Sequence, residues 1–336
     1  MGRLTIGVAA ETLRLAQPFR IAGHVFDDVD ALVVTLSDGH RRGRGEAAGV
    51  YYMKDDLPAM LAQLEGARDA IEAGATRDEL RGVLPPGGTR NAVDCALWEL
   101  EAARSGRPVW ALAGLPEPRP LRTTFTVGAG APEDMAATAR SFAQARSIKI
   151  KLTGDLPLDL ERVSAIRAAR PDVWLGVDGN QGFTADALEA LVAGLQEHGV
   201  SLLEQPLARG READLDGLAS PIPIAGDESL LSLADLADAP GRFDVVNIKL
   251  DKCGGLTEGL LMAAEARRLG LGVMVGTMVG TSLATAPGFV LGQLADLVDL
   301  DGPTFLAADR SPSVVYADGE LFAGPEVWGA PQAVAA

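Results

Sequence analysis

"SIKIKLTGD", residues 147–155, places two lysines two positions apart in a run that otherwise reads as a buried strand. Side chains on a strand alternate faces, so Lys149 and Lys151 share one face while Ile148, Ile150 and Leu152 take the other. Two buried ammonium groups on one face need carboxylates opposite them, or one must give up its proton. The reading of the whole chain turns on what stands across from these lysines.

From residue 121 onward, eight short β-rich runs alternate with helical patterns: LRTTFTVG, SIKIKL, VWLGVDG, SLLEQP, PIPIAGDES, DVVNIKL, GVMVGTM and ADLVDLDG. A polar residue near the end of each of five successive runs falls at Lys151, Asp178, Glu204, Asp227 and Lys249, in steps of 27, 26, 23 and 22 residues. That spacing fits a strand, a helix and two loops, the unit of a parallel α/β barrel. An open doubly wound sheet lacks support, since no glycine-rich phosphate turn follows an early strand. Between the runs, 158–169 has Leu160, Val163 and Ile166 on one helical face, and TADALEALVAGLQEHG offers Thr184 as an N-cap.

The first 115 residues read as an α+β unit. RLTIGVAAETLRL and DALVVTLSDGHRRGRGEAA alternate apolar and polar residues around an Asp38-Gly39 turn, which predicts an antiparallel hairpin. Two helical stretches follow, the second with Thr89 as a candidate cap and Gly106 as its stop. After Asp301 a further hairpin-like piece is too short to stand alone and is expected to return to the first unit. The expected organisation is a capping domain over 1–115, completed by 303–336, on a barrel over 116–302.

With 46 acidic residues against 30 lysines and arginines, the net charge is −16, and no basic cluster suits nucleic acid or a membrane surface. The N-terminus lacks a signal-peptide pattern and no apolar run approaches a membrane span, so the protein is expected to be soluble and cytoplasmic. Cys95 and Cys253 are too few for a disulfide framework, and His24, His40 and His198 have no ligand spacing. A metal held by this chain must therefore be held by oxygen, which favours Mg2+.

The C-terminal ends of barrel strands converge on one face. Asp178, Glu204 and Asp227 then become neighbours on three consecutive strand ends, flanked by Lys151 on one side and Lys249 on the other. Three carboxylates make an oxygen site for Mg2+. Each acid taken alone reads equally well as a helix N-cap, Asp227 above all, but three caps would not need flanking lysines.

The K-x-K pair, "VDGN", "LLEQP", "AGDES", "NIKLDKCGG" and "RNAVDCALWEL" together resemble the enolase superfamily, in its muconate-lactonizing-enzyme subgroup and, within that, the dipeptide epimerases of the L-Ala-D/L-Glu type. The resemblance implies a modified (β/α)7β TIM barrel with an N-terminal α+β capping domain and one Mg2+ per subunit on Asp178, Glu204 and Asp227. It also implies catalytic Lys151 and Lys249 transferring a proton on opposite faces of a dipeptide's C-terminal α-carbon, in murein peptide metabolism. Lys149 would tune its neighbour and border the substrate, on the ground that burial and adjacent ammonium groups depress a lysine pKa. Asn180, Glu228 and Lys252 would stand behind the ligands.

"DLVDLDGP" matches the D-x-D pattern, Asp299 and Asp301, that holds the substrate ammonium in dipeptide epimerases. This favours a dipeptide over the substrates of N-acylamino acid racemases, o-succinylbenzoate synthases and muconate cycloisomerases of the same subgroup. Phe26, Tyr51 and Thr277 fall where the resemblance puts the substrate wall. The Ala-Glu enzymes carry an arginine where Phe26 stands. The loops here offer Arg20 or Lys54 for a carboxylate side chain, Phe26, Tyr51 and Tyr52 for an apolar one, and Asp27, Asp28, Asp55 and Asp56 for a basic one. A Schiff-base aldolase would use one lysine without a carboxylate metal site, and a non-catalytic barrel would need neither lysine. No macromolecular partner is expected, and a homo-oligomer is left open.

Overall fold

The computed structural model describes residues 3–331. The first two and last five positions of the segments expected to form the capping domain lie outside the described residues. The chain opens with a three-stranded antiparallel meander, β1 (Thr5–Ile21), β2 (His24–Ser37) and β3 (Arg42–Ala47). The second turn is the Asp38-Gly39 turn, where the Asp38 carboxylate accepts from the Arg41 and His40 amides at 2.8 and 3.0 Å. Helices α1 (Leu57–Glu72), α2 (Arg77–Val83), α3 (Gly88–Ser105) and the short α4 (Val109–Leu112) cover it.

Helix α3 is buried along nearly its whole length, because it lies between the meander and the barrel. On the barrel side the Asp94 carboxylate accepts from the Thr257 amide and hydroxyl at 2.9 and 2.6 Å, and Arg90 donates to the Cys253 and Gly254 carbonyls. Gly254 and Gly255, at φ 85° and 112°, make this contact close: a Cβ would stand 2.2 Å from Arg90 Nε and 2.5 Å from Asp94 Oδ2. The capping domain is thereby fixed to the segment that leaves the Lys249 strand. Thr89 does not cap α3. It sits inside the helix, buried, with its hydroxyl on the Met60 carbonyl at 3.1 Å, and Gly87 takes the cap position. Gly106 stops the helix at φ 68°, as its position in the sequence predicts.

After β4 (Leu121–Arg122), eight parallel strands follow in consecutive spatial order: β5 (Phe125–Val127), β6 (Ser147–Lys151), β7 (Trp174–Asp178), β8 (Leu202–Glu204), β9 (Ile224–Gly226), β10 (Val245–Lys249), β11 (Gly272–Gly276) and β12 (Leu297–Asp299). Contacts from Thr123 and Thr124 to Val298, Asp299 and Leu300 bring the first strand to the last and close the near-barrel. The outer helices are α5 (Pro132–Ser141), α6 (Leu156–Ala169), α7 (Leu188–Glu197), α8 (Leu250–Cys253), α9 (Leu256–Arg268) and α10 (Ser282–Gly292). Ile148 and Ile150 pack outward with Val163, Ile166, Leu191 and Leu195, which leaves Lys149 and Lys151 pointing inward. Thr184 makes no side-chain cap, because the chain enters α7 through a separate turn of 3-10 helix at Ala185–Ala187.

The C-terminal hairpin, β13 (Val315–Ala317) and β14 (Glu320–Phe322), adds to β4 rather than to the meander. The residues around it do reach the capping domain: Arg310 pairs with Glu11 and Glu46, and Trp328 donates to the Arg44 carbonyl at 2.9 Å.

A second tie between the two parts has a pH signature. Asp251 Oδ1 accepts from the Ala48 amide at 3.1 Å, just ahead of the loop that carries Tyr51. Burial pushes the Asp251 carboxyl up to about 7, against about 3.9 for a free aspartate. The folded chain thus keeps a proton that the unfolded chain releases, so this group's contribution to stability declines as pH rises from about 4 through 7. Asp251→Asn cannot ionise, and its Tm should gain on that of the wild type between pH 5 and pH 8. Parallel Tm profiles would contradict the assignment.

Candidate active site

Strand register alone assembles the centre. Lys151 pairs directly with Asp178, and Asp178 with Glu204, so three chemically active residues end three adjacent strands. Asp227 follows β9 by one residue, and Lys249 ends β10. One oxygen from each of Asp178, Glu204 and Asp227 lies within 4.8 Å of the others, and all three side chains are buried. Gly276 sits beside Lys249, where a Cβ would approach Lys249 Cε to 3.1 Å, so the glycine leaves room for the lysine stem.

The lysines meet these carboxylates directly. Lys151 Nζ is 2.6 Å from Asp178 Oδ2, and Lys249 Nζ is 2.7 Å from Asp227 Oδ2. Lys149 reaches three acids: Glu204 Oε2 and Asp299 Oδ2 at 2.7 Å, and Asp178 Oδ2 at 3.3 Å. Burial pulls the Lys149 ammonium down, but Asp299, Glu204 and Asp178 outweigh it and hold the group well above the ordinary lysine value. Burial also lowers Lys249, and Asp227 again prevails, so the net shift is upward. Lys149 and Lys249 therefore shift upward, because the carboxylates they face outweigh burial and, for Lys249, the neighbouring Lys149 ammonium.

Among the acids, burial and then Asp178 push Glu204 up to about 7. Burial pushes Asp227 up as well, but Lys249 and Lys252 overcome it and carry it below the carboxylate range. Glu204 Oε2 is close to Lys149 without the angle of a hydrogen bond, and its other oxygen accepts from Asn247 Nδ2 at 2.7 Å. An all-oxygen, buried, convergent donor set of this kind fits a hard divalent cation such as Mg2+.

Other expected residues fall as follows. Lys252 is fully buried behind Asp227, donating to its Oδ1 at 2.5 Å and to the Asp227 and Asn247 carbonyls at 2.6 and 2.9 Å. Asn180 and Glu228 join each other at 3.3 Å and line the cavity themselves, rather than standing behind the acids. Phe26, Tyr51 and Thr277 line the same cavity, whose volume is about 450 Å³. Asp299 and Asp301 both line it, but unequally. Asp299 is engaged by Lys149 and by the Thr124 hydroxyl, whereas Asp301 is held by Thr126, its Oδ2 accepting from the Thr126 amide at 2.6 Å. Burial, with Asp299 adding to it, pushes Asp301 up to about 7.

Four residues escape a motif reading. Asn247 and Gln205 hold Glu204 and the Asp227 amide, the latter at 3.0 Å, and Thr124 and Thr126 hold the D-x-D pair. Asn247 precedes Lys249 by two positions, so strand alternation already aims it inward. Thr124 and Thr126 carry the same period-two signal.

Residues 3–114 match the mandelate racemase/muconate lactonizing enzyme N-terminal domain, and residues 134–319 match the enolase C-terminal domain-like family. The chain is 39% identical over 317 residues to the L-Ala-D/L-Glu epimerase of Escherichia coli (strain K12), covering 94% of this chain and 99% of that one. Among solved structures it is similar to an enolase family member from Agrobacterium tumefaciens with homology to dipeptide epimerases, holding sodium and L-Ala-L-Glu. The TM-score is 0.92 and the identity 39%, over 97% of this chain and all of that one. It is also similar to a dipeptide epimerase from Methylococcus capsulatus complexed with Mg and L-Arg-D-Lys, with TM-score 0.89 and identity 31% over 96% of this chain and 97% of that one. With both parts of the chain matched and the carboxylate trio ending consecutive strands, this chain belongs to the mandelate racemase/muconate lactonizing enzyme family of the enolase superfamily.

Proposed function

We propose that the chain is a dipeptide epimerase that inverts the α-carbon of a dipeptide's C-terminal residue by proton transfer between Lys151 and Lys249. The observation that carries this reading is the placement of those two lysines on β6 and β10, with the acid-bearing ends of β7 to β9 between them and one cavity above. Asp178, Glu204 and Asp227 would hold one Mg2+ per subunit, which would draw the negative charge that builds on the substrate carboxylate as the α-proton leaves. Lys151 and Lys249 address opposite faces of the α-carbon. In each turnover one is neutral and accepts the proton, while the other is protonated and delivers its own. Lys149, hydrogen-bonded to Asp299 and ion-paired with Asp178 and Glu204, holds the three acids together. Lys252 and Asn247 hold Asp227 and Glu204 from behind. Asp301 receives the substrate ammonium, with Asp299 beside it. A cytoplasmic location is part of the reading, and among the described residues no helix is long and apolar enough to cross a membrane.

One observation favours N-acylamino acids as a second reading: Asp299 is already occupied by Lys149 and Thr124, which leaves Asp301 as the freer carboxylate for an ammonium. L,L-dipeptides and their N-acetyl counterparts, incubated with enzyme and Mg2+ in deuterated water, separate the two through deuterium uptake at the α-carbon. Dipeptides should exchange faster. Asp301→Asn should lower their kcat/KM by roughly tenfold or more, the scale of a charge-assisted hydrogen bond, and affect acetylated substrates far less. Equal losses in both series would favour the racemase.

A further inference from the structure

We infer that the residue inverted by this enzyme carries an apolar side chain, branched aliphatic or aromatic, and not a carboxylate or an ammonium; this rests on the dipeptide epimerase reading. The cavity has two unlike ends. Its floor holds Asp227, the three lysines and the D-x-D pair. Its wall and roof are built from Phe19, Phe26, Val29, Tyr51, Met278 and Phe305, drawn from the β1–β2 hairpin, the loop after β3 and the loops after β11 and β12. The rings pack in pairs: Phe19 and Phe305 lie tilted with centroids 4.6 Å apart, and Phe26 and Tyr51 meet edge to face at 5.6 Å.

A side-chain carboxylate entering that wall would find no cation. Among the described residues lining the cavity, the only positive side chains are Lys149, Lys151 and Lys249, each already within 2.7 Å of an acid on the floor. Arg20 and Lys54, the cations nearest in sequence, are exposed and do not line it. Burying a charge there without a partner is unfavourable.

Acids do occur at the cavity, yet most are committed to the protein's own backbone and hydroxyls. Asp55 Oδ2 accepts from the Gly88 amide at 2.6 Å, Asp56 caps α1 through the Ala59 amide at 2.9 Å, and Asp30 accepts from the Thr12 hydroxyl at 2.8 Å. Asp28 stands exposed, and Glu228 lies on the floor, next in sequence to Asp227 and bonded to Asn180. A cationic side chain in the wall meets chiefly rings and aliphatic groups; among the described residues the cavity's carboxylate oxygens left buried without a partner are Asp55 Oδ1, on a carboxyl that burial pushes up toward its neutral form, and Glu228 Oε2 on the floor. An apolar side chain loses nothing on entry and gains burial against four aromatic rings. This sets the substrate apart from the L-Ala-L-Glu held by the A. tumefaciens relative.

The test compares kcat/KM for L-Ala-L-Leu, L-Ala-L-Phe, L-Ala-L-Glu and L-Ala-L-Lys on the full chain with Mg2+, alongside N-acetyl-L-Leu, N-acetyl-L-Phe and N-acetyl-L-Glu. The better of Leu and Phe should exceed both Glu and Lys by about tenfold or more, the scale on which one apolar group discriminates in a pocket. Glu or Lys equal to or better than both apolar residues overturns the inference while leaving the dipeptide reading intact. Turnover confined to the acetylated series overturns the dipeptide reading on which the inference rests. No turnover in either series overturns both.

Discussion

Lys151→Ala and Lys249→Ala are each expected to lower epimerisation by roughly 10²- to 10⁴-fold, the usual contribution of a positioned acid or base. The loss should appear in both directions of the reaction, because every inversion needs one lysine to take a proton and the other to return one. A positional role for either residue predicts something different. Lys151 and Lys249 also neutralise Asp178 and Asp227 at 2.6 and 2.7 Å, so their removal adds uncompensated charge to the floor. Replacement by arginine keeps that charge but lacks an amine that can act as a base near neutral pH. Arginine variants that stay folded but inactive would separate the chemical role from the electrostatic one, and active arginine variants would count against proton transfer by these lysines.

Removing the divalent cation should have an effect of the same order. Turnover after exhaustive chelation should fall by on the order of 10³-fold, since the substrate carboxylate would face the trio without a neutralising charge. Binding to the folded state alone also stabilises it, by about 2.7 kcal/mol at a hundredfold excess over Kd. Added Mg2+ should therefore raise the Tm of the wild type, and Asp178→Asn should largely abolish the rise, giving a readout independent of activity. Full turnover in chelator, or an undiminished Mg2+ shift in Asp178→Asn, would remove these three acids from metal binding.

Much of this site is legible in the sequence because a parallel barrel converts regular spacing into proximity. The steps from Lys151 to Lys249 match one strand, one helix and two loops each, so spacing alone puts five strand ends in one ring. Strand alternation likewise separates Lys149 and Lys151 from Ile148 and Ile150.

What could not be read depends on distances that no period encodes. Lys149 and Lys249 are shifted upward because of which carboxylate oxygens they reach, and strand periodicity carries no measure of that reach. The unequal engagement of Asp299 and Asp301 follows from Thr124 and Thr126, which arrive from the opposite end of the barrel sequence. The attachment of the last hairpin to Leu121–Arg122 is a long-range edge pairing between segments with no special composition. Thr89 and Thr184 are not caps because α3 begins at Gly88, two residues before a Thr89 cap would start it, and α7 begins behind a 3-10 turn, neither of which changes the apolar stripe.

The opposed lysines are tested most directly by α-proton exchange in deuterated water with the two alanine variants, each given the L,L and the L,D form of the same dipeptide. A lysine that survives can still remove the proton it faces and return deuterium to that side. Lys151→Ala should therefore exchange one diastereomer with retained configuration and Lys249→Ala the other, neither giving the inverted product. Exchange of the same diastereomer by both variants, or inversion by either at close to the wild-type rate, would contradict proton transfer between two lysines.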